Sequence, residues 1–563
     1  MTNAPRFRRT SAALLSLFVA SAAIANEARA PHAMVASNNA IATDAGVAIL
    51  NKGGNAIDAA VATALTLGVV QGYHSGIGGG CFMLIHTADG KTIALDGREM
   101  APAAATADMF VRDGKGIPAL SQVGPLASGV PGSLAVYDHA LKTFGKKTLA
   151  DALQPGIDAA ENGFAVPQSF TNAVKDVADK MDGFPGTTSL FLVDGKPIPA
   201  GTVLKQPDLA NTYRKVATGG IDYFYKNGFP QFVDAWMKEH HGILTAADFA
   251  KYEFKEREPI LTNYRGYTIA GMPPPSSGGV HVAQILNILD NFDLAELRKK
   301  DPALPTHVTI EAMKLAFADR AFWLGDPDFT KVPKGLADAG YCKTLAAKID
   351  LTKTGKFEHG TPPEADTNLF GKHTTHISAA DDQGNWVAIT ATVNTYFGSK
   401  VVIPGTGVIM NNQMDDFSLP GGVPNAFGLI GGEANVPGPG KRPLSSMSPT
   451  IVMKDNQPVL SIGAAGGPTI ITQVLQVVSN VIDLKEDLNT AMAAPRLHHQ
   501  WYPDKVRIDN TFPPEVLESL KKLGHDLDVR KPAGATNAVM RLPDGTFVGV
   551  SEPRNPNSKA AGN

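Results

Sequence analysis

A strand that opens with threonine, directly after a polar loop, is the clearest place in this chain for chemistry. Residues Thr352 to Lys372 are rich in Pro, Gly, Thr and charge and read as an exposed loop. A β-hairpin follows, with one arm over Thr375 to Ala380 and a turn over Asp381 to Asn385. Its return arm, Trp386 to Val393, is rich in β-branched residues. Thr374 stands at the junction. A threonine hydroxyl attacks a carbonyl only when a base removes its proton, and an N-terminal amine on the same residue can do so if the chain is cut before it. Such an amine has an unperturbed pKa of roughly 7.7–8.0, which suits a general base near neutral pH. The same Thr-Thr pair also reads as plain β-propensity, and these residues alone leave both readings open.

Other stretches carry weaker chemical signals. The glycines from Ser75 to Gly80 resemble a dinucleotide loop, but they lead into a strand (Phe82 to His86) instead of a helix, and Cys81 stands where the last glycine belongs. Close approach of backbone to backbone, or to a ligand, is the better reading. Arg98, at the end of a strand over Lys91 to Leu95, can hold a carboxylate through a bidentate pair or form an ordinary salt bridge. Gly463 to Gly467 run into a helix near Ile470 to Ile482, so Gly466 and Gly467 can offer unpaired N–H groups to an oxyanion, or can serve steric needs only. Leu419 to Gly440 form a long loop of Gly, Pro and Asn, a type that is functional or disordered. No Cys-x-x-Cys or His-Glu-x-x-His spacing exists, so no metal is expected. The pairs His240-His241 and His498-His499 read as surface or core histidines.

The elements that must position these residues are legible in outline. Ala-rich helices are predicted over Asn38 to Leu50 and Asn55 to Val69, and further helices over Gly132 to Thr143, Thr148 to Asn162, Ser169 to Met181, Leu209 to Gly219, Asp222 to His240, His281 to Asp290 and His307 to Phe322. Strands are predicted at Tyr267 to Gly271, Val401 to Ile409, Thr450 to Met453 and Val459 to Ile462. Strand pairs flanked by helical blocks imply two stacked sheets covered by helices, an α+β four-layer αββα sandwich. At 563 residues, 43% hydrophobic and 19% charged, the chain can bury a large core. A formal net charge of −3, with no basic cluster, gives no electrostatic case for nucleic acid. Arg6, Arg8 and Arg9 precede an apolar run from Ala12 to Ile24, with small-residue cleavage sites ending at Ala25 or Ala30. This reads as a signal peptide over residues 1–25, too short to span a bilayer, and it places the protein in the periplasm or outside the cell. The Arg8-Arg9 pair hints at twin-arginine export, although the fuller motif is absent. Cys81 and Cys342, the only cysteines, can form one disulfide, a geometry that sequence does not test, or stay as two buried free thiols, the expected state.

The chain carries, in order, Asp96 to Pro102, Thr374-Thr375-His376, Asn394-Thr395-Tyr396-Phe397-Gly398, Asn411 to Phe417, Arg442 to Thr450, Gly466-Gly467 and Ala494-Pro495-Arg496. Taken together these motifs are very similar to the γ-glutamyltransferase family. The resemblance runs from about residue 33 to Arg554. It implies an N-terminal-nucleophile αββα fold without metal or organic cofactor, and self-cleavage between His373 and Thr374. A large subunit over residues 26–373 and a small one over 374–563 would then stay together as a heterodimer, forming one intertwined unit. It further implies that Thr374 forms a γ-glutamyl ester with glutathione or related amides, supported by Thr392, with Gly466 and Gly467 as the oxyanion hole. The acyl group would pass to water or to an amino acid or dipeptide. Arg98, Ser445 and Ser446 match the family's carboxylate binders, and Asp416, Gln413 and Asn394 those around the ammonium. Phe427 stands where many bacterial members carry a lid tyrosine that bonds the asparagine matching Asn394; phenylalanine cannot make that bond, which implies a looser lid. Cys81 stands where a glycine is common. A glutaryl (cephalosporin) acylase on the same fold is the alternative; an exported, unprocessed binding protein is a second.

Overall fold

The computed structural model describes residues 26–363 and 375–563. The expected signal peptide, His373 and Thr374 lie outside the described residues. The strands of the two large sheets are, in chain order, β1 (Asn26–Ala30), β2 (Ala33–Ser37), β3 (Gly80–His86), β4 (Thr92–Gly97), β5 (Lys255–Arg257), β6 (Ile260–Tyr264) and β7 (Tyr267–Gly271). After residue 374 come β8 (Thr375–Asp381), β9 (Trp386–Thr392), β10 (Thr450–Lys454), β11 (Gln457–Gly463), β12 (Asn537–Arg541), β13 (Phe547–Ser551) and β14 (Lys559–Gly562). One sheet has the order β5-β4-β3-β9-β8-β2-β14 and the other β1-β13-β12-β11-β10-β7-β6. Every pairing within these sheets is antiparallel.

The four layers follow from side-chain alternation. On β3, Phe82 and Leu84 join the core between the sheets, whereas Cys81, Met83 and Ile85 join a core shared with helices. On β9, Trp386 and Ala388 face the other sheet while Val387, Ile389 and Ala391 face helices. On β10, Ile451 and Met453 point inward and Val452 outward. Both faces of these central strands are therefore apolar, and the hairpin is buried on both sides.

The first sheet is covered by α1 (Ala40–Asn51) and α2 (Ala56–Val70), the second by α3 (Gly278–Leu289), α4 (Leu304–Trp323) and α5 (Thr469–Ile482). α2 is buried along its whole length, and its start is set by a capping box between Asn55 and Asp58. The αββα expectation is borne out. Three local expectations are corrected. Asp222 to His240 is two helices, Ile221–Tyr225 and Phe229–Glu239, broken at Gly228 with φ +144°. The helix begun near Ser169 is Gln168–Lys175 and is followed by a 3-10 turn at Ala178–Lys180. Val401 to Ile409 is not a strand: Val402 and Ile409 form an isolated bridge, because the chain turns at Gly405 and Gly407, both at positive φ.

Candidate active site

The strand ends carrying the expected residues converge on one rim of the sandwich. Ala391 faces Thr375, and Thr392 faces Gly80 at the ends of β9 and β3. A Cβ on Gly79 would lie 1.8 Å from the Thr392 carbonyl oxygen, and one on Gly78 would lie 2.0 Å from that of Ile409. The glycine cluster thus serves backbone approach, as expected, and seats the strand end that carries Thr392. Across the sandwich, Ser461 on β11 donates to the Val387 carbonyl at 2.8 Å, and Gly463 leaves room for the ring of His376.

The start of β8 is held by two asparagines that the sequence did not single out. Asn38 Nδ2 donates to Thr375 Oγ1 at 3.3 Å, and Asn537 Nδ2 donates to the His376 carbonyl at 3.1 Å and to Asn38 Oδ1 at 3.0 Å. Thr392 is fully buried, and its hydroxyl accepts from the Asn394 backbone N–H at 2.7 Å. Asn394 adopts φ +80°, an uncommon conformation for a residue with a side chain. Its Nδ2 donates to the Asn412 carbonyl at 2.9 Å, next to Gln413.

The charged residues assemble from distant parts of the chain. Arg98 is fully buried and donates from Nη2 to Asp416 Oδ2 at 2.6 Å, from Nη1 to Glu99 Oε2 at 3.4 Å and from Nε to the Pro443 carbonyl at 3.0 Å. Asp416 also accepts from Gln413 Nε2 at 3.1 Å, within one 3-10 turn, Gln413–Asp416. The two readings of Arg98 thus merge: it makes a salt bridge, and that bridge is with the residue expected to meet the ammonium. Asp96 fixes the Arg98 turn by accepting from its backbone N–H at 2.9 Å. Burial pushes the Asp96 carboxyl up, but Arg442 and Arg257 outweigh it and hold it below its ordinary value.

Ser445 and Ser446 are fully buried in the segment that enters β10. The Ser445 carbonyl accepts from Ser277 Oγ at 2.8 Å. Behind Ser277 lies a charge that the sequence analysis missed: Arg320, buried on α4, donates from Nε to Ser277 Oγ at 3.3 Å. Burial lowers its pKa to about 10, opposed by the charge of Asp416. Glu99, also missed, is pushed up to about 7 by burial, against the pull of Arg98 and with the push of Asp416.

Several buried polar atoms here have no hydrogen-bond partner among the described residues: Asn394 Oδ1, Gln413 Oε1, Ser445 Oγ and Glu99 Oε1. An unmade buried hydrogen bond costs roughly 1–3 kcal/mol. Two free amide carbonyls beside a carboxylate suit an ammonium, and a free serine hydroxyl near a guanidinium suits a carboxylate. At the head of α5, Gly466 has φ +122° and Gly467 φ +69°, and neither N–H finds an acceptor among the described residues. Thr469 Oγ1 donates to the Gly466 carbonyl at 2.6 Å and shapes the turn.

The loop around Phe427 is tied down by other bonds. Ala426 N–H donates to Asp415 Oδ2 at 3.0 Å, Asn425 Nδ2 to Asp416 Oδ1 at 3.4 Å, and Gln500 Nε2 to the Phe427 and Gly428 carbonyls at 3.3 and 3.2 Å. The long loop also holds two 3-10 turns, Pro420–Gly422 and Glu433–Asn435. Away from the rim, His307, Glu311 and His525 offer ligand atoms within 4.8 Å of one another. Lys314 Nζ already lies 3.3 Å from Glu311, and the imidazoles bond each other at 2.7 Å. The lysine ammonium fills the place of a cation. Cys81 and Cys342 are buried free thiols, as expected. His498 and His499 are buried core histidines.

The αββα sandwich with a strand-end site is that of the N-terminal-nucleophile hydrolases. Within that class the chain belongs to the gamma-glutamyltranspeptidase family, whose model matches residues 42–562. It is 43% identical over 537 residues to the glutathione hydrolase proenzyme of Escherichia coli (strain K12), a match spanning 95% of this chain and 92% of that one. Its fold superposes on the cephalosporin acylase from Bacillus halodurans with a TM-score of 0.86 at 29% identity, covering 100% of this chain and 99% of that one. Against Helicobacter pylori gamma-glutamyltranspeptidase the TM-score is 0.54 at 37% identity, with 59% of this chain and 94% of that chain covered.

Proposed function

We propose that this protein is a γ-glutamyltransferase and glutathione hydrolase that matures by cutting itself between His373 and Thr374. The observation that carries the reading is the pairing of opposite recognition groups at one buried rim. Asp416 with the free acceptors of Asn394 and Gln413 suits an α-ammonium; Arg98 with the free hydroxyl of Ser445 suits an α-carboxylate. Only a substrate head carrying both charges satisfies the whole set, and a γ-glutamyl group does.

In the precursor, the Thr374 hydroxyl attacks the carbonyl of His373, and the resulting ester is hydrolysed by water. Its nitrogen is still an amide at that stage, so another group must assist, and Thr392 is assigned this support. After the cut, the Thr374 amine takes the hydroxyl proton as the oxygen attacks the γ-carbonyl. The N–H groups of Gly466 and Gly467 stabilise the oxyanion, a type of contact worth about 10²–10³ in rate per donor. The amine product leaves with the proton, and the γ-glutamyl ester passes to water or to an amino acid or dipeptide, a ping-pong sequence.

The topology supports a lasting pair of subunits. β8 pairs with β2 on one side, and β9 pairs with β3 on the other, so strands from before and after residue 373 interleave in one sheet. Cutting one peptide bond leaves these ladders intact. The N-terminal segment supports export to the periplasm or beyond; among the described residues no helix is long and apolar enough to cross a membrane. The similarity to a cephalosporin acylase favours a second reading, a glutaryl amidase, but a buried Asp416 has no ammonium to meet in a glutaryl group.

N-terminal sequencing of the smaller band of purified protein tests the proposal, together with turnover of γ-glutamyl-p-nitroanilide. Two unequal bands are expected, the smaller one starting at Thr374, with no cleavage and no turnover in Thr374→Ala. Cleavage or glutathione breakdown by Thr374→Ala refutes it.

A further inference from the structure

The strand ends at the active rim form a row. Across the sheet, β4 ends beside Arg98, β9 ends at Thr392, β8 begins at Thr375 and β2 ends just before Asn38. The proposed γ-glutamyl groups occupy the Arg98 end. Past Thr375, at the other end, lies a cavity of about 710 Å³, within the usual range of roughly 300–1,000 Å³ for small-molecule sites. Gly466 and Asn38 line it, and Asn38 touches Thr375. Arg98, Asp416 and Ser445 are not in its wall.

The charge of this cavity is lopsided. Arg496, Arg507, Arg530, Lys531 and Arg554 line it against a single carboxylate, Asp509. Arg496 and Arg554 are engaged by Glu552 at 2.8 and 3.0 Å, and Arg530 by Asp528 at 2.6 Å. Arg507 and Lys531 are exposed and have no carboxylate within ion-pair distance among the described residues. Deeper in the wall, Arg496 Nε and Gln71 Oε1 are buried without a hydrogen-bond partner among the described residues. A wall with an excess of cations, in which Arg507 feels Asp528 only at a distance, together with a free donor and a free acceptor, fits a peptide end that carries an amide and a free carboxylate.

We propose that this cavity receives the amine side of the γ-glutamyl amide, with Arg507 and Lys531 drawing in the free carboxylate of a dipeptide leaving group or acceptor. This rests on the γ-glutamyl reading given above. The geometric reason is simple. The two chain substituents of an acyl carbon diverge by about 120°, as at any trigonal planar centre. With the acyl arm reaching toward Arg98, the nitrogen arm must depart toward the opposite end of the row, past Gly466 and Asn38.

The test compares glutathione with its C-terminal amide, which differ only in that carboxylate, on the mature two-subunit enzyme. The readout is the ratio of the two kcat/KM values, so a general loss of activity cancels. Wild type should favour the free acid about three- to tenfold, the size expected of two exposed ion pairs. The preference should shrink toward one in about 0.5 M salt, where screening is strong. In the double variant Arg507→Glu/Lys531→Glu the ratio should fall to one or below. A wild-type ratio of one, or a ratio unchanged in the double variant, overturns the subsite while leaving the γ-glutamyl assignment standing. Failure of wild type to cleave either compound overturns that assignment and the subsite with it.

Discussion

Replacing Asp416 by asparagine separates recognition of the ammonium from upkeep of the fold. The carboxylate is buried, accepts from Arg98 at 2.6 Å and from Gln413 at 3.1 Å, and asparagine keeps its shape while removing the charge. Breaking a buried ion pair by removing one partner costs about 3–5 kcal/mol. Here the cost should lie at the low end, because Glu99 stands 3.4 Å from the same guanidinium. Loss of the Asp416 charge also removes one of the influences that push the Glu99 carboxyl up, so Glu99 can take over as counter-ion. In turnover, a substrate ammonium loses a charge-assisted hydrogen bond worth about 1.5–3 kcal/mol, or roughly 10- to 150-fold in kcat/KM. A glutaryl amide has no ammonium and loses nothing there. The assay is kcat/KM for γ-glutamyl-p-nitroanilide and glutaryl-p-nitroanilide on Asp416→Asn and wild type, with circular dichroism to confirm folding. The ratio between the two substrates should move by at least tenfold toward the glutaryl compound. An equal fall for both substrates would refute the reasoning, since Asp416 would then act through the fold alone.

Three further predictions follow from single contacts. Glu99 is held at about 7 against an ordinary value of 4.5, so the folded state binds its proton more tightly than the unfolded chain. Stability should therefore fall as pH rises from about 4.5 to 7, and Glu99→Gln should flatten that slope in thermal melts; an identical slope in the variant removes Glu99 as its source. Gly79→Ala would place a methyl 1.8 Å from the Thr392 carbonyl, so it should lower stability by about 1–3 kcal/mol through overpacking and reduce turnover by shifting Thr392. A variant with wild-type melting and activity would show that this approach is not a constraint. Phe427→Tyr supplies the hydroxyl of the family's lid tyrosine while Asn394 Oδ1 stands as a buried acceptor without a partner among the described residues, and should raise transfer to dipeptides relative to hydrolysis. Equal product ratios in the two proteins would count against any lid role for that side chain.

Local structure is legible in the sequence where one periodicity or one turn residue decides it. The hairpin around Gly384 was legible because its arms are β-branched and its turn is polar; the observed strands are Thr375–Asp381 and Trp386–Thr392. Tyr267–Gly271 is a strand with the same bounds that its local pattern predicts. The false strand at Val401 to Ile409 looked apolar and β-branched, but its side chains instead fill the helix-covered core around Phe397. Apolar content reports burial there, and only the backbone path decides whether a ladder forms. Phe427 lacks the hydroxyl of a lid tyrosine, and its loop is fastened through Asp415, Asp416 and Gln500 by bonds to backbone and side chain, contacts between remote segments that no local pattern encodes.

The sequence by itself determined the two-sheet sandwich and the family, and it singled out residue types that suit a doubly charged substrate head. These depend on patterns within a few residues of each other, or on motifs whose order along the chain suffices. Tertiary structure alone decided that Arg98 bonds Asp416 across 318 positions, that Asn38 and Asn537 hold the start of β8 across 499, and that Glu99 and Arg320 are buried charges beside the site. Desolvation and charge pairing exist only once remote segments meet, because water screens them in the unfolded chain.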